Sequence, residues 1–225
     1  MSIGLVLFDM DGVLFEGKNF WLDLHRAYGT EEEGLALANR YLTADYDSLA
    51  GLVAGRLWKG KPAAPYWDLV RSREYQPGVR ELFARLHAQG LRSAIVSSGP
   101  YHLAERAQRD LGIDAIRANR LLFEGDRLSG EVEVQIRDHD KLFAGRALMD
   151  ELGVSPQATA FIGDSDSDVA LAEAVALPVS YDPKSDRLVE VCRHVLRHGE
   201  LICLADLVLN FQRTSEESDE HDQLL

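Results

Sequence analysis

Two aspartates close the first apolar run of the sequence, within the stretch LVLFDMDGVLFEG at residues 5–17. Asp9 and Asp11 stand two positions apart, so in an extended chain their side chains share one side and can flank a single reacting group. One carboxylate can act as a nucleophile, while the other protonates the leaving oxygen and later activates water. Asp9 and Asp11 are therefore the first catalytic candidates.

Further polar residues follow two later apolar runs. The run AIV is followed by Ser97, Ser98 and Gly99, and the run ATAFIG is followed by Asp164 and Asp168 within GDSDSD. Clustered carboxylates raise one another's pKa unless a cation neutralises them, and oxygen-only ligands suit Mg²⁺. The sequence therefore predicts a Mg²⁺ site, with the following candidate ligands: Asp9, Asp11, Asp164 and Asp168.

A phosphate site is expected beside this metal. The helix that is predicted to begin at Pro100 borders Ser97, and the unpaired N–H groups of a helix N-terminus favour anions. Lys141, at the start of the predicted helix before the next buried strand, would hold an attacking carboxylate and a phosphoryl group against charge repulsion. Ser97 and Lys141 thus join Asp9 and Asp11 as candidates for phosphoryl chemistry.

These residues need a scaffold that brings separate strand ends together. Residues 3–8 form an apolar run of strand length, and from Gln76 onward helical and strand-like segments alternate. The alternation predicts an α/β fold with a doubly wound, mostly parallel, Rossmann-like sheet, and a hairpin around residues 124–126. In such sheets ligands bind beyond the carboxyl ends of the strands, where the strand order reverses.

The chain between residues 18 and 72 has a different character, with helical patches and few β-branched runs. We therefore expect three regions. Residues 1–15 and 73–211 form a catalytic core, residues 16–72 form a small helical cap inserted after the first strand, and residues 212–225 form an acidic flexible tail.

The composition argues against several classes of function. The formal net charge of −13, from 24 basic and 37 acidic residues, disfavours binding to nucleic acid or to an anionic membrane surface. No apolar stretch approaches the roughly 20 residues that span a bilayer, and two cysteines with no secretory pattern at the start indicate a cytoplasmic protein. The expected partner is a small phosphorylated metabolite, and a monomer and a homodimer are both compatible with the sequence.

The strings FDMDGVLF, AIVSSG and FIGDSDSD, together with Lys141, resemble in type and order the motifs of the haloacid dehalogenase (HAD) superfamily of aspartate-nucleophile phosphatases. The resemblance extends to about residue 210, and the string ANRLLFEGDRLSGEVE is similar to the phosphoserine phosphatase branch. It implies that Asp9 is the nucleophile and Asp11 the general acid and base. It also implies Mg²⁺ held by Asp9, the main-chain carbonyl of Asp11 and Asp164, with Asp168 supporting the metal shell.

The resemblance defines the substrate less well than the reaction. The phosphoserine enzymes hold the serine with a cap glutamate and a cap arginine, whereas here Lys18 and Asn19 stand near the first position and Arg56 lies one turn beyond the second. The residues expected to bind substrate are Ser97, Ser98, Gly99, Lys141, Lys18 and Arg56. The leading interpretation is a Mg²⁺-dependent phosphomonoesterase, with phosphoserine as the first candidate substrate.

Three other interpretations stay open at this stage. A phosphotransferase or phosphomutase would pass the aspartyl-phosphate to a second hydroxyl group rather than to water, and a sugar-phosphate phosphatase would share the chemistry with another substrate. A non-catalytic binding protein could retain the fold alone. The complete set of motifs favours an enzyme over this last possibility, because a decayed site would be free to lose Asp9 or Lys141.

Overall fold

The structure is a computed structural model that describes residues 2–17, 19–137 and 140–211. Within these ranges the strands are β1 Leu5–Phe8, β2 Arg92–Pro100, β3 Ala115–Glu124, β4 Arg127–Glu133, β5 Thr159–Gly163, β6 Leu177–Tyr181 and β7 His194–Leu196. The α-helices are α1 Phe20–Tyr28, α2 Glu31–Tyr41, α3 Tyr46–Leu52, α4 Ala64–Ser72, α5 Val79–Ala88, α6 Tyr101–Leu111, α7 Lys141–Glu151, α8 Val169–Glu173, α9 Asp186–Val191 and α10 Cys203–Leu209. Lys18 and the expected acidic tail, residues 212–225, lie outside the described residues.

The strands form a single sheet with the order β4-β3-β2-β1-β5-β6-β7. Neighbouring strands are parallel except for β3 and β4, which pair antiparallel. From β1 the chain moves outward through β2 and β3, then returns to the other side of β1 and continues through β5, β6 and β7. The strand order therefore reverses at β1, where a doubly wound sheet opens a crevice for ligands. The predicted fold class is confirmed.

The first strand is buried on both faces, as its continuous apolar sequence indicates. Leu5 and Leu7 pack into one hydrophobic cluster, whereas Val6 and Phe8 pack into the other. Successive side chains of a strand point to opposite faces, so a strand covered on both sides needs an unbroken apolar run. The run places the following residue, Asp9, at the edge of a rigid core.

Helical segments fill the chain between β1 and α5, and the two connections to them run side by side. The Glu16 N–H donates to the Glu74 carbonyl at 2.9 Å, and the Gln76 N–H donates to the Leu14 carbonyl, also at 2.9 Å. The chain thus leaves and re-enters the sheet region at one place. This arrangement supports the division into core and cap, and the exact boundaries at residues 16–72 stay a prediction.

The expected hairpin consists of β3 and β4, and its tip reaches the inserted helices. The Gly60 N–H donates to the Leu128 carbonyl at 2.8 Å, and the Ala63 N–H donates to the Asp126 carbonyl at 2.7 Å. The hairpin also lies against the short π-helical segment Val53–Trp58. It therefore ties the edge of the sheet to the inserted helices.

The strand β6 does not emerge from the sequence pattern, although all five of its residues are buried. The strand is short and contains Pro178, which cannot donate to a ladder, so the local sequence favours a loop. It is recognisable as a strand only through its parallel pairing with β5, in which Val179 is in register with Ile162. None of the described helices has the length and apolar composition that crossing a bilayer requires.

Candidate active site

The carboxyl ends of β1, β2 and β5 lie side by side. Phe8, the last residue of β1, is in register with Ile95 of β2 and with Ile162 of β5. The residues that follow these strands therefore emerge at one edge of the sheet, beside the reversal of the strand order. This brings Asp9 and Asp164, which are far apart in the sequence, to a common rim.

Asp9 is buried and is held from two sides. Its N–H donates to the Ile162 carbonyl at 2.9 Å, and its Oδ1 lies 2.9 Å from Lys141 Nζ. Burial raises the pKa of Asp9 to about 7, because the repulsion from Asp168 and Asp164 adds to it and the attraction of Lys141 offsets only part. The carboxyl group therefore needs additional positive charge to be fully ionised at neutral pH.

Lys141 is the first residue of α7, and only 3% of its side chain is exposed. Its Nζ lies 2.6 Å from Asp168 Oδ1 as well as 2.9 Å from Asp9 Oδ1. Burial by itself would lower the pKa of Lys141, but the carboxylates of Asp168 and Asp9 outweigh it and hold that pKa above its ordinary value. A charged ammonium group therefore lies against the candidate nucleophile.

Asp168 orients Lys141 and also the loop that follows β5. Its Oδ2 accepts hydrogen bonds from the N–H groups of Asp164 and Ser165, both at 2.9 Å, and from Ser165 Oγ at 3.1 Å. Gly163 leaves room for this carboxylate, because a Cβ there would lie 2.5 Å from Asp168 Cγ. Both oxygens of Asp168 thus have protein donors, which suits a supporting position beside a metal ion.

Asp164 is the second carboxyl group of the rim with a strongly raised pKa. Burial raises the pKa of Asp164 to about 6, although Lys184 contacts its Oδ2 and acts in the opposite direction. Gly12, with φ of 86°, runs close beside the same carboxylate, where a Cβ would collide with it. Lys184 is not among the residues predicted from the sequence, because it follows the strand β6, whose sequence LPVSY has no clear strand pattern.

The acidic groups at the rim can hold a metal ion. One oxygen from each of Asp9, Asp164 and Asp168 lies within 4.8 Å of the others, and all three residues are buried. The pKa values of Asp9 and Asp164 are both raised, so a cation would relieve an existing cost of ionising them. An all-oxygen donor set with two or three carboxylates fits a hard divalent cation such as Mg²⁺.

Asp11 has one anchored oxygen and one oxygen without a partner. Its Oδ2 accepts a hydrogen bond from the N–H of Phe20, the first residue of α1, at 3.0 Å. Its Oδ1 is buried and has no hydrogen-bond partner among the described residues. Burial raises the pKa of Asp11, even though the Phe20 hydrogen bond and nearby cations oppose the shift. A carboxyl group fixed through one oxygen can exchange a proton through the other.

The loop at the end of β2 lies beside Asp11. Ser97 is buried, and its Oγ accepts a hydrogen bond from the Gly99 N–H at 3.1 Å. A Cβ on Gly99 would lie 3.7 Å from Asp11 Oδ2, so this backbone and the carboxylate are close neighbours. The Ser98 carbonyl is directed to the inserted helices instead, where it accepts a hydrogen bond from Trp21 Nε1 at 2.9 Å.

Of the expected substrate-binding residues that the structure describes, Arg56 is not part of this cluster. Lys18 lies outside the described residues. Arg56 is exposed on the segment Val53–Trp58, and it has no hydrogen bond or ion pair with any described residue. A role for Arg56 in substrate binding stays a prediction.

Comparison with known proteins gives consistent results. Phosphoserine phosphatase from Archaeoglobus fulgidus is 26% identical over 206 residues, which cover 91% of this chain and 59% of that protein. The enzyme of the same name from Halobacterium salinarum is 31% identical over 188 residues, covering 80% of this chain and 86% of that protein. A crystal structure of phosphoserine phosphatase in apo form matches with a TM-score of 0.77 at 22% identity, over 94% of this chain and 100% of that chain.

These matches differ in extent. The chain spans little more than half of the Archaeoglobus protein but most of the Halobacterium protein. The structural match, at 22% identity, supports the fold and not the substrate. Residues 6–173, which contain the whole rim cluster apart from Lys184, match the family model of haloacid dehalogenase-like hydrolases. This chain therefore belongs to the haloacid dehalogenase-like hydrolase family.

Proposed function

We propose that the protein is a Mg²⁺-dependent phosphomonoesterase that works through an aspartyl-phosphate on Asp9. The observation that carries this proposal is the pairing of Asp9, whose Oδ1 lies 2.9 Å from Lys141 Nζ, with Asp11, whose Oδ1 is buried without a partner among the described residues. One carboxylate is thus held beside a fixed cation, and the other is positioned for proton transfer. The names of the relatives, phosphoserine phosphatase, support the same reaction class.

In the first step, a carboxylate oxygen of Asp9 attacks the phosphorus atom of the ester. The new bond joins Asp9 to phosphorus, and the bond between phosphorus and the alcohol oxygen breaks. Lys141 stabilises the negative charge on Asp9 and on the transferring phosphoryl oxygens, while Ser97 and the N–H groups of its loop bind those oxygens. Asp11, whose pKa is raised by burial, donates its proton to the departing alcohol.

In the second step, the ionised Asp11 takes a proton from a water molecule. This water attacks phosphorus, the bond to Asp9 breaks, and inorganic phosphate leaves with Asp9 and Asp11 restored. A Mg²⁺ ion bound by Asp9, Asp164 and the main-chain carbonyl of Asp11 would supply the positive charge that keeps the carboxylates ionised and neutralises the phosphate. Asp168 holds Lys141 and the Asp164 loop in position throughout.

The proposed substrate is a small phosphorylated metabolite, and phosphoserine is the reference compound because the relatives are named for it. The roles of Ser98, Gly99, Lys18 and Arg56 in binding it belong to this proposal. We place the protein in the cytoplasm, as its two free cysteines, Cys192 and Cys203, suit a reducing compartment.

The direct test is hydrolysis of p-nitrophenyl phosphate with and without Mg²⁺, comparing the wild type with Asp9→Asn. We expect Mg²⁺-dependent release of phosphate, and a loss of at least about 10³-fold in kcat for the variant, because an amide cannot form the intermediate. The matched control is Asp186→Asn, which changes an exposed aspartate at the start of α9 and should retain full activity. Turnover that needs no metal, or an active Asp9→Asn variant, would contradict the proposal.

A second measurement separates hydrolysis from transfer. Small alcohols and sugars are added to the reaction, and the products are analysed by ³¹P NMR. Hydrolysis predicts inorganic phosphate as the only product with every acceptor. A new phosphate ester would instead identify the protein as a phosphotransferase that uses the same intermediate.

A further inference from the structure

A cavity of about 200 Å³ lies between the inserted helices and the β3–β4 hairpin. Its lining residues come from the start of α1, from α2 and α3, from the segment Val53–Trp58 and from the hairpin. They include Asn19, Trp21, His25, Ala38, Trp58 and Asn119. A dry cavity of comparable size in other proteins accommodates a benzene molecule.

This cavity adjoins the candidate active site. Trp21 Nε1 and Asn119 Nδ2, both from lining residues, donate to the Ser98 carbonyl at 2.9 and 3.1 Å. The N–H of Phe20, the residue between the lining residues Asn19 and Trp21, donates to Asp11 Oδ2 at 3.0 Å. The cavity therefore lies next to the loop that is proposed to bind the phosphoryl group. It also lies close to Asp11, the proposed general acid.

The lining is almost entirely apolar and has no formal charge. Among the described residues that form it there is no Asp, Glu, Lys or Arg. His25 packs 4.6 Å from Trp58 between ring centroids, and burial lowers the pKa of His25, which favours its neutral imidazole. A bound group would therefore meet aromatic and aliphatic surfaces.

Most of the polar side-chain atoms of the lining have protein partners. His25 Nδ1 and Trp58 Nε1 both bond Thr30 Oγ1, at 2.8 and 3.2 Å. Asn119 uses its amide nitrogen for the carbonyl groups of Ser98 and Ile136 and its oxygen for backbone N–H groups. An amino-acid alcohol would bring an ammonium and a carboxylate into this space, where neither would find an opposite charge among the described lining residues, and burying unpaired charges is strongly unfavourable.

We propose that this cavity binds the alcohol part of the substrate, and that this part is uncharged and largely apolar, of the size of one aromatic ring. The inference rests on the proposed phosphomonoesterase function and replaces phosphoserine with another class of ester. The scissile oxygen would lie at Asp11, and the apolar group would extend past Trp21 toward Trp58.

The first test compares benzyl phosphate with phosphoserine. Both are esters of primary alcohols, which keeps the chemistry of the leaving group similar, whereas a phenyl ester would react faster for electronic reasons alone. We expect kcat/KM for benzyl phosphate to exceed that for phosphoserine by about tenfold or more. Equal or better use of phosphoserine would overturn the inference while leaving the phosphatase function intact, and failure to hydrolyse any ester would overturn the proposed function.

The second test fills the cavity with a matched pair of variants on α2. Ala38 is a partly buried lining residue, whereas Ala36 on the same helix is exposed and does not line the cavity. Ala38→Phe should raise KM for benzyl phosphate about tenfold and leave methyl phosphate unaffected, because methyl phosphate does not enter the cavity. Ala36→Phe should change neither, and an equal effect of Ala38→Phe on both esters would contradict the proposal.

A third measurement does not depend on activity or on the folding of a variant. The chain has three tryptophans, of which Trp21 and Trp58 line the cavity and Trp67 does not. Titrating the wild type with benzyl alcohol should shift the indole N–H NMR signals of Trp21 and Trp58 but not that of Trp67. The absence of a shift at Trp21 and Trp58, or an equal shift at all three, would overturn binding in the cavity.

Discussion

The rim of the sheet and the cavity in the inserted helices differ in polarity, since the rim consists of ionisable side chains and the cavity mainly of apolar ones. At the rim, Asp9, Asp164 and Asp168 are buried carboxyl groups with one oxygen each within 4.8 Å of the others, and buried Lys141 pairs with Asp9 and Asp168. In the cavity, the described lining residues include no charged side chain, and the indole and imidazole groups are packed against one another. The two regions nevertheless meet through a few hydrogen bonds, such as the one from Trp21 to the Ser98 carbonyl.

The difference assigns separate tasks to the two regions. Ionising a buried carboxyl group without a nearby cation costs free energy, as the raised pKa values indicate. Such groups suit a site in which a bound cation compensates for their negative charge and that of a phosphate group. An apolar cavity contributes little to such chemistry but can select a substrate by shape and by the exclusion of charge. In the proposed function, the rim carries out the reaction and the cavity selects the alcohol.

After the loss of the nucleophile in Asp9→Asn, the largest expected effect comes from removing the fixed cation of the rim. Lys141→Met should lower kcat by about 10²–10³-fold, because Asp9 and the transferring phosphoryl group lose their stabilising charge. Activity on p-nitrophenyl phosphate gives the measurement. Arg146→Met, which removes an exposed cation from the same helix, should retain activity, and comparable losses in both variants would show that the rim has no special role.

The next expected effect is the pH dependence of the free energy of unfolding when no metal ion is bound at the rim. In the folded chain the pKa of Asp9 is about 7 and that of Asp164 about 6, against 3.8 as the ordinary value, so folding favours their protonated forms. The stability contributed by these protons is present at low pH and is lost as the pH rises from about 4 through 7. Between pH 5 and pH 8 the free energy of unfolding should fall by roughly 2–4 kcal/mol in the presence of EDTA.

Urea unfolding at the two pH values measures this loss. Adding Mg²⁺ at pH 8 should restore stability, since the ion binds the folded state and lowers the cost of ionising the carboxyl groups. Asp164→Asn should flatten the pH dependence and reduce the gain from Mg²⁺. A metal-free chain that becomes more stable between pH 5 and pH 8 would contradict the assigned pKa shifts.

A smaller effect is expected from the residue that supports the rim. Asp168→Asn keeps one acceptor oxygen but loses the charge opposite Lys141, and it should weaken Mg²⁺ binding about 10–100-fold in a calorimetric titration. Asp166→Asn is the matched control, because Asp166 lies in the same turn, is exposed, and its side chain hydrogen-bonds only with Ser185 among the described residues. Equal affinities in the two variants would remove Asp168 from the metal site.

The smallest effect tests the contact between the two regions. Trp21→Phe removes the indole donor to the Ser98 carbonyl while keeping an aromatic ring in the cavity, at a cost of about 1 kcal/mol for one neutral hydrogen bond. We expect a change of a few-fold in KM with little change in kcat. Trp67→Phe should have no effect, as the Trp67 indole N–H makes no hydrogen bond with a described residue, and a matching loss there would point to general destabilisation.

Much of the rim could be predicted from local sequence. The apolar run before Asp9 and the run before Asp164 each indicate a strand buried on both faces, and a parallel sheet aligns the ends of such strands. Lys141 could be found as well, because it begins a helix that precedes the second of these strands. Lys184 could not be predicted, because it follows β6, and this strand contains Pro178 and is recognisable only through its pairing with β5.

The sequence by itself determined the candidate carboxylates, their spacing and the sheet that carries them, because hydrophobic periodicity and strand-end chemistry are local properties. Only the tertiary structure decided what surrounds the alcohol. The cavity is formed by side chains from three helices, a π-helical segment and a hairpin. Trp21 and Asn119 are far apart in the sequence, so their shared hydrogen-bond acceptor, the Ser98 carbonyl, could not be predicted from it. Packing between remote segments sets the shape and polarity of that space, and no local pattern encodes it.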